Sequence, residues 1–185
     1  MGDIQLAGTF LIGGMVLLTI FSMNVEILET SSLNSLGQMA QENVGEIVSI
    51  IDYDFKKIGH RVPRTSTALL AVTDTTISFL ADIDQDEVID SVAYRVGSAS
   101  EASSTDNPDD RYLYRTVNGV EYDVALGITS WELHYFNEDM GSTSAADSIR
   151  VIRVTFTVGT MYGYNEQYGS ASWSGQFAPK NLGVL

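Results

Sequence analysis

The chain has no cysteine, and no lysine or arginine before Lys56. The first absence excludes disulfides, thiol nucleophiles and cysteine-ligated metal sites. The second excludes the positively charged start of a secretory signal peptide and the basic flank of an ordinary membrane anchor. Proline is scarce, and none precedes Pro63, so nothing in the first sixty residues forces a helix to break. The two histidines, His60 and His134, are far apart in sequence and read as surface side chains. No serine stands in a G-x-S-x-G or S-x-x-K setting, and no phosphate-cradling glycine loop occurs, so the expectation is a protein that is not an enzyme. Basic clusters are missing as well. With 24 acidic and 10 basic residues the net charge is −14, which argues against nucleic acid and anionic membrane surfaces as partners.

What is present is concentrated at the front. Ile4 to Val25, IQLAGTFLIGGMVLLTIFSMNV, contains no charged residue. As a helix its 22 residues reach ~33 Å, enough to cross a bilayer core. Three readings are open for it: a transmembrane helix, a buried core helix or a removable signal. Its length favours spanning, and the missing basic start disfavours a signal. Seven acids and no base precede Lys56. Two compatible expectations follow. The chain is a mature form whose basic leader has been removed, or its helix finally sits among other protein helices instead of lipid. Gly8, Gly13 and Gly14 fit close helix–helix approach as well as ordinary membrane glycine usage.

Behind this segment the apolar residues thin to a stripe, Leu33, Leu36, Ala40, Val44, Ile47, Ile51, Phe55 and Ile58, at steps of three or four. The spacing predicts a continuous helix to Gly59, with Lys56 and Lys57 favourable to its last turn. From Ser66 the period switches to two. Strands are predicted at 68–72, 75–81, 88–96, 111–117, 120–126, 128–136 and 148–159, with a last short strand after Gly175. Asn118-Gly119 marks a type I′ hairpin that pairs Val117 with Val120, Arg115 with Tyr122 and Leu113 with Val124, placing Arg115 over the Tyr122 ring. Residues 97–110 and 137–147 read as exposed acidic loops, and 161–174 as irregular, Tyr- and Gly-rich chain. The fold class is therefore α+β: a long N-terminal helix, hydrophobic in front and amphipathic behind, packed on an antiparallel β-sheet head. The divisions are 1–27, the membrane or filament-core helix; 28–60, its amphipathic continuation; and 61–185, the globular head.

The sharpest local motif is Asp82-Ile-Asp-Gln-Asp-Glu-Val-Ile-Asp90. Asp82, Asp84, Asp86 and Asp90 stand at positions 1, 3, 5 and 9 of an EF-hand-type loop, whose hard oxygen ligands suit Ca2+. Glu87 replaces the usual glycine and Ala93 the bidentate glutamate. Calcium binding and a solvated acidic turn both stay open, and no cofactor is required. Tyr162, Tyr164, Tyr168 and Trp173 read either as a glycan- or partner-binding cluster or as cover for a sheet edge.

The order of these parts resembles the type IV pilin superfamily, in particular its large minor pilins and pseudopilins. Ile51-Asp-Tyr-Asp-Phe-Lys-Lys-Ile-Gly59 is similar to the end of their long helix. Ile77 to Glu87 with Tyr94-Arg95 resembles their acidic hairpin. Arg111 to Gly119, Val124 to Phe136, Ile149 to Val158 and Pro179 to Leu182 resemble their later strands. Family members carry a glutamate at mature position 5; if Met1 is the mature start, that position is Gln5 and the nearest acid is Asp3. The resemblance gives Asp3 the role of pairing with a neighbour's terminal amine. It implies a structural subunit of an extracellular pilus-like filament, stored in the inner membrane and polymerised with identical subunits by a pilus assembly machinery. The assembly residues it implies are Asp3, Phe10, Leu11, Ile12, Met15, Leu17, Leu18, Ile20 and Phe21. The alternatives are a minor pseudopilin of a type II secretion pseudopilus, and a single-span surface protein whose β-head binds calcium or glycan.

Overall fold

A computed structural model describes residues 2–63 and 65–182. The side chains of residues 4–7, within the predicted apolar segment, and residues 183–185, within the predicted head, lie outside the described set. The first element is one uninterrupted helix, α1 (Gly2–Lys56). Its 55 residues make it ~83 Å long. Turns follow to Arg61, and Gly59 ends the helix with φ +75°, donating its N–H to Leu80 O at 2.9 Å. No proline interrupts α1. Ser32, Ser35 and Ser49, which could otherwise compete with its backbone, donate their hydroxyls to the carbonyl four residues back.

The head has two antiparallel sheets. One has the order β1 (Leu69–Val72), β2 (Thr76–Ala81), β3 (Asp90–Val96), β4 (Tyr112–Val117) and β5 (Val120–Leu126). The other has the order β6 (Ile128–Phe136), β7 (Val151–Gly159) and β8 (Ser170–Phe177). Gly127, at φ +104°, makes the corner between them. A β-carbon there would lie 2.7 Å from Gly159 O. The rear of α1 closes the core. Ala40, Val44, Ile47, Ile51, Phe55 and Ile58 are all buried, while Leu33 and Leu36 at the front of the stripe are half-buried. Phe55 sits at the centre, its ring 6.0 Å from Phe79 and 5.7 Å from Tyr94 on one sheet and 5.2 Å from Phe177 on the other. Ile152, Val154, Phe156 and Val158 share one buried face, as do Trp131, Leu133 and Tyr135.

Four expectations need correction. The irregular tract 161–174 overlaps β8, which begins at Ser170; Ala171, Trp173, Gly175 and Phe177 alternate inward, but two of these four are small, which flattens the apolar signal. Residues 97–110 are not simply exposed, since a 3-10 turn (Ala99–Ala102) and buried Ala102, Asn107 and Asp110 organise them. A bulge between Leu113 and Tyr114 pairs Leu113 with Ala125, not Val124. Arg115 and Tyr122 are paired across the strands as predicted, but the guanidinium turns to Asp54 instead of the Tyr122 ring. Arg95 lies over Tyr114 at 4.0 Å instead.

Candidate assembly surface and acidic turn

Among the described residues, the large apolar side chains at the front of α1 are exposed. Phe10, Leu11, Ile12, Met15, Leu17, Leu18, Ile20 and Phe21 are all exposed, Phe10 by 74% and Leu18 by 71%. A β-carbon on Gly8, Gly13 or Gly14 would touch nothing, so no contact of the monomer requires these glycines. Thr19 Oγ1 donates to Met15 O and Ser22 Oγ to Thr19 O, so both hydroxyls are satisfied by their own helix. By length and composition this helix can cross a membrane. Asp3 is exposed in its first turn, where a negative charge favours the helix dipole.

The head grips the helix from Leu36 onward. Gly169 approaches α1 so closely that a β-carbon there would fall 2.4 Å from Leu36 C and 2.5 Å from Leu36 O. Deeper in, Asp54 is 1% exposed and accepts three hydrogen bonds. They come from Tyr94 Oη at 2.5 Å, Arg115 Nε at 2.6 Å and Arg115 Nη2 at 3.1 Å. Burial, and then the neighbouring Asp54 charge, holds the Tyr94 hydroxyl far above its ordinary range. Arg115 loses hydration on burial, but its bonds to Asp54 outweigh that loss and raise its pKa. This triad ties α1 to β3 and β4. Its sequence signal was an acid, Asp54, placed beside Phe55 on the apolar stripe, where a solvated residue does not belong.

The acidic turn joins β2 to β3. One carboxylate oxygen from each of Asp82, Asp84 and Asp86 lies within 4.8 Å of the others, the sole such trio among the described residues. Asp82 is fully buried. Its Oδ1 accepts from Gln85 N at 2.7 Å and its Oδ2 from Glu87 N at 3.3 Å. Asp84 Oδ1 accepts from Asp86 N, and Asp86 Oδ1 from Val88 N. Glu87 adopts φ +75°, so the backbone takes the left-handed conformation for which such loops use glycine. Arg61 closes the turn from outside, Nε 3.4 Å from Asp82 Oδ2 and Nη1 3.0 Å from Glu87 Oε1. Three converging carboxylates suit a hard cation, and Arg61 already supplies one positive charge at their edge. Asp90, predicted with them, stands apart. Its Oδ2 accepts from Ile83 N at 3.1 Å and its Oδ1 from Asn118 Nδ2 at 2.6 Å, so it pins the Asn118-Gly119 hairpin to β3.

The other candidates separate. His134 faces Glu132 at 3.5 Å on β6, while His60 follows α1. Of the aromatic cluster, Trp173 packs into the core 5.5 Å from Phe156, and Tyr168 Oη donates to Asp106 O, leaving Tyr162 as its exposed large ring. A cleft of about 440 Å3 between the helix-end loop and residues 146–150 carries Arg61 and Arg150. Arg150 Nη1 is engaged there by the carbonyls of Asp147 and Ile149. Compared with known proteins, the chain matches no family model and no curated protein.

Proposed function

We propose that the chain is a non-enzymatic structural subunit of an extracellular type IV pilus-like filament, polymerising through the front of α1. The observation that carries this is the division of one helix. Its rear half completes the core of the head, while in its front half the described large apolar side chains, Phe10 to Leu28, are exposed. Burying a Leu, Ile, Phe or Met side chain is worth about 1.5–3 kcal/mol. Eight such residues, Phe10 to Phe21, therefore demand an apolar surrounding.

Lipid meets that demand before assembly and a bundle of identical helices meets it afterwards. Gly8, Gly13 and Gly14 serve the second state, because small residues let helix backbones approach. In this reading Asp3, in the first turn, pairs with a neighbour's terminal amine. The acidic heads, held to the helix by the Asp54–Arg115 pair, tile outside and repel one another weakly enough in salt to remain packed. A minor subunit of a secretion pseudopilus shares this mechanism and differs in abundance.

The test is Leu17→Arg. An arginine inside a helix bundle leaves a buried unpaired charge. The variant is expected to give no filaments in negative-stain microscopy of material sheared from cells, while the purified full chain keeps wild-type near-ultraviolet circular dichroism. Filaments at wild-type abundance from Leu17→Arg overturn the reading. A chain that purifies only as a detergent-bound monomer, with no filaments on wild-type cells, favours a single-span surface protein instead.

A further inference from the structure

Loops 97–110 and 161–169 carry the acids Glu101, Asp106, Asp109, Asp110 and Glu166, and no lysine or arginine. The two loops are tied together at one end of the head. Asp106 N donates to Met161 O at 3.1 Å, and Tyr168 Oη donates to Asp106 O at 2.8 Å. The second loop contains a tight hairpin, in which Tyr164 and Gln167 exchange backbone hydrogen bonds of 2.9 and 3.0 Å. Its tip residues, Asn165 and Glu166, both adopt positive φ, +50° and +61°. The Asn118-Gly119 turn of the same chain has glycine at the second of these positions. A glutamate there strains the backbone and sets an exposed carboxylate at the apex of a fixed projection. Four residues before it, the ring of Tyr162 is 59% exposed.

The other end of β8 is different. A cleft of about 590 Å3 lies between the end of α1 and residues 177–181. Buried Phe177 and Pro179 give it apolar surface; Lys56, His60 and Lys180 are its basic groups and Asp52 its acid. Lys56 bonds Asp52 at 2.7 Å and stays 67% exposed. Lys180 is exposed and pairs with no acid among the described residues. In a chain of net charge −14, an uncompensated cation beside apolar surface is a place for an acidic partner.

β8 sets the distance and direction between these two surfaces. Its eight residues span ~26 Å. The strand follows α1: Gly169, just before it, meets Leu36, and the Phe177 ring at its end lies 5.2 Å from that of Phe55, ~29 Å further along the helix. The surfaces therefore stand at opposite ends of the head along α1. They are complementary in charge and too unlike to close a symmetric dimer. A contact between unlike surfaces is heterologous and builds an open row of copies. We propose that heads dock end to end along the filament, the hairpin bearing Tyr162 and Glu166 of one copy seated in the cleft bearing Lys56 and Lys180 of the next. The proposal rests on the filament reading and assigns it a contact between heads. Glu166 pairs with Lys180, and the Tyr162 ring covers Phe177 and Pro179 beside the two ammonium groups.

The native chain has no cysteine, so an introduced pair reports the contact without background. Glu166→Cys and Lys180→Cys are placed together in the full chain, and filaments sheared from cells are oxidised. The two positions flank β8, too far apart for a disulfide within one chain. A ladder of disulfide-linked multimers is expected on non-reducing gels, and monomer from either cysteine alone. Glu166→Lys and Lys180→Glu should each lower the yield of sheared filaments about tenfold, by setting like charges together, with the Tm of the purified chain unchanged. Combining the two reversals should restore the yield. Wild-type filaments with no ladder from the cysteine pair, dimers from a single cysteine, a reversal without effect, or no rescue by the combination overturns the docking and leaves the filament reading standing. Absence of wild-type filaments overturns both.

Discussion

Replacing Arg115 by Met isolates what the buried triad contributes to holding the helix in the head. Arg115 is 20% exposed and Asp54 only 1%, so water cannot replace the guanidinium once it is gone. Asp54 would keep Tyr94 Oη at 2.5 Å and lose the bonds at 2.6 and 3.1 Å. Removing one partner of a buried pair costs about 3–5 kcal/mol, because the remaining charge is left uncompensated. For a domain of this size each kcal/mol shifts Tm by about 2–4 °C, so a fall of about 6–20 °C is expected. Thermal melts followed by near-ultraviolet circular dichroism read the packing of Trp131 and Trp173 directly, since both lie against the core. The double replacement Asp54→Leu with Arg115→Met removes both charges and should recover most of the loss, giving a non-additive cycle. A fall of under about 2 °C for Arg115→Met, or additive losses in the cycle, refutes the argument that this pair anchors the helix.

Alkaline pH should loosen the head. Burial raises the hydroxyl pKa of Tyr94 and of Tyr135 above the ordinary 10.0, for Tyr94 with the Asp54 charge adding to it. A raised folded-state pKa gives stability that is complete below pH 10 and declines as pH rises, by about 1.4 kcal/mol per unit for each tyrosine. Urea midpoints between pH 9 and 11.5 measure this, and Tyr94→Phe should roughly halve the slope. Gly169→Ala forces a methyl against the Leu36 backbone and should cost about 1–3 kcal/mol, seen as a lower Tm and faster hydrogen exchange along residues 33–40. Gly37→Ala has open space beside it and should stabilise the purified chain by up to about 1 kcal/mol through helix propensity, so the two glycines move Tm in opposite directions. Asn118→Ala removes the amide that bonds Asp90 Oδ1 and the oxygen that accepts from Ser91 N, and should lower Tm by a few degrees, about 1–2 kcal/mol.

The sequence by itself determined the features that depend on local spacing. The helical step from Leu33 to Ile58 follows from 3.6 residues per turn, and the buried face Ile152, Val154, Phe156, Val158 from the two-residue pleat. Asn118-Gly119 demanded positive φ at both positions, and the hairpin has it, at +50° and +82°. The apolar run before Glu26 made a membrane-length helix legible from composition alone.

What spacing could not decide is where a side chain ends when two strand faces, a neighbouring sheet and a helix all compete for it. Arg115 was correctly paired with Tyr122, yet only the packed helix brings Asp54 from 61 residues away to take the guanidinium. Asp90 looked like the fourth carboxylate of the acidic turn, and the adjoining hairpin claimed it through Asn118. Asp110 looked like one more acid in a solvated loop, until the end of β7 at Gly159 covered it. These are all charges, whose energies depend on what tertiary burial removes and brings near, and that is set by contacts distant in the chain.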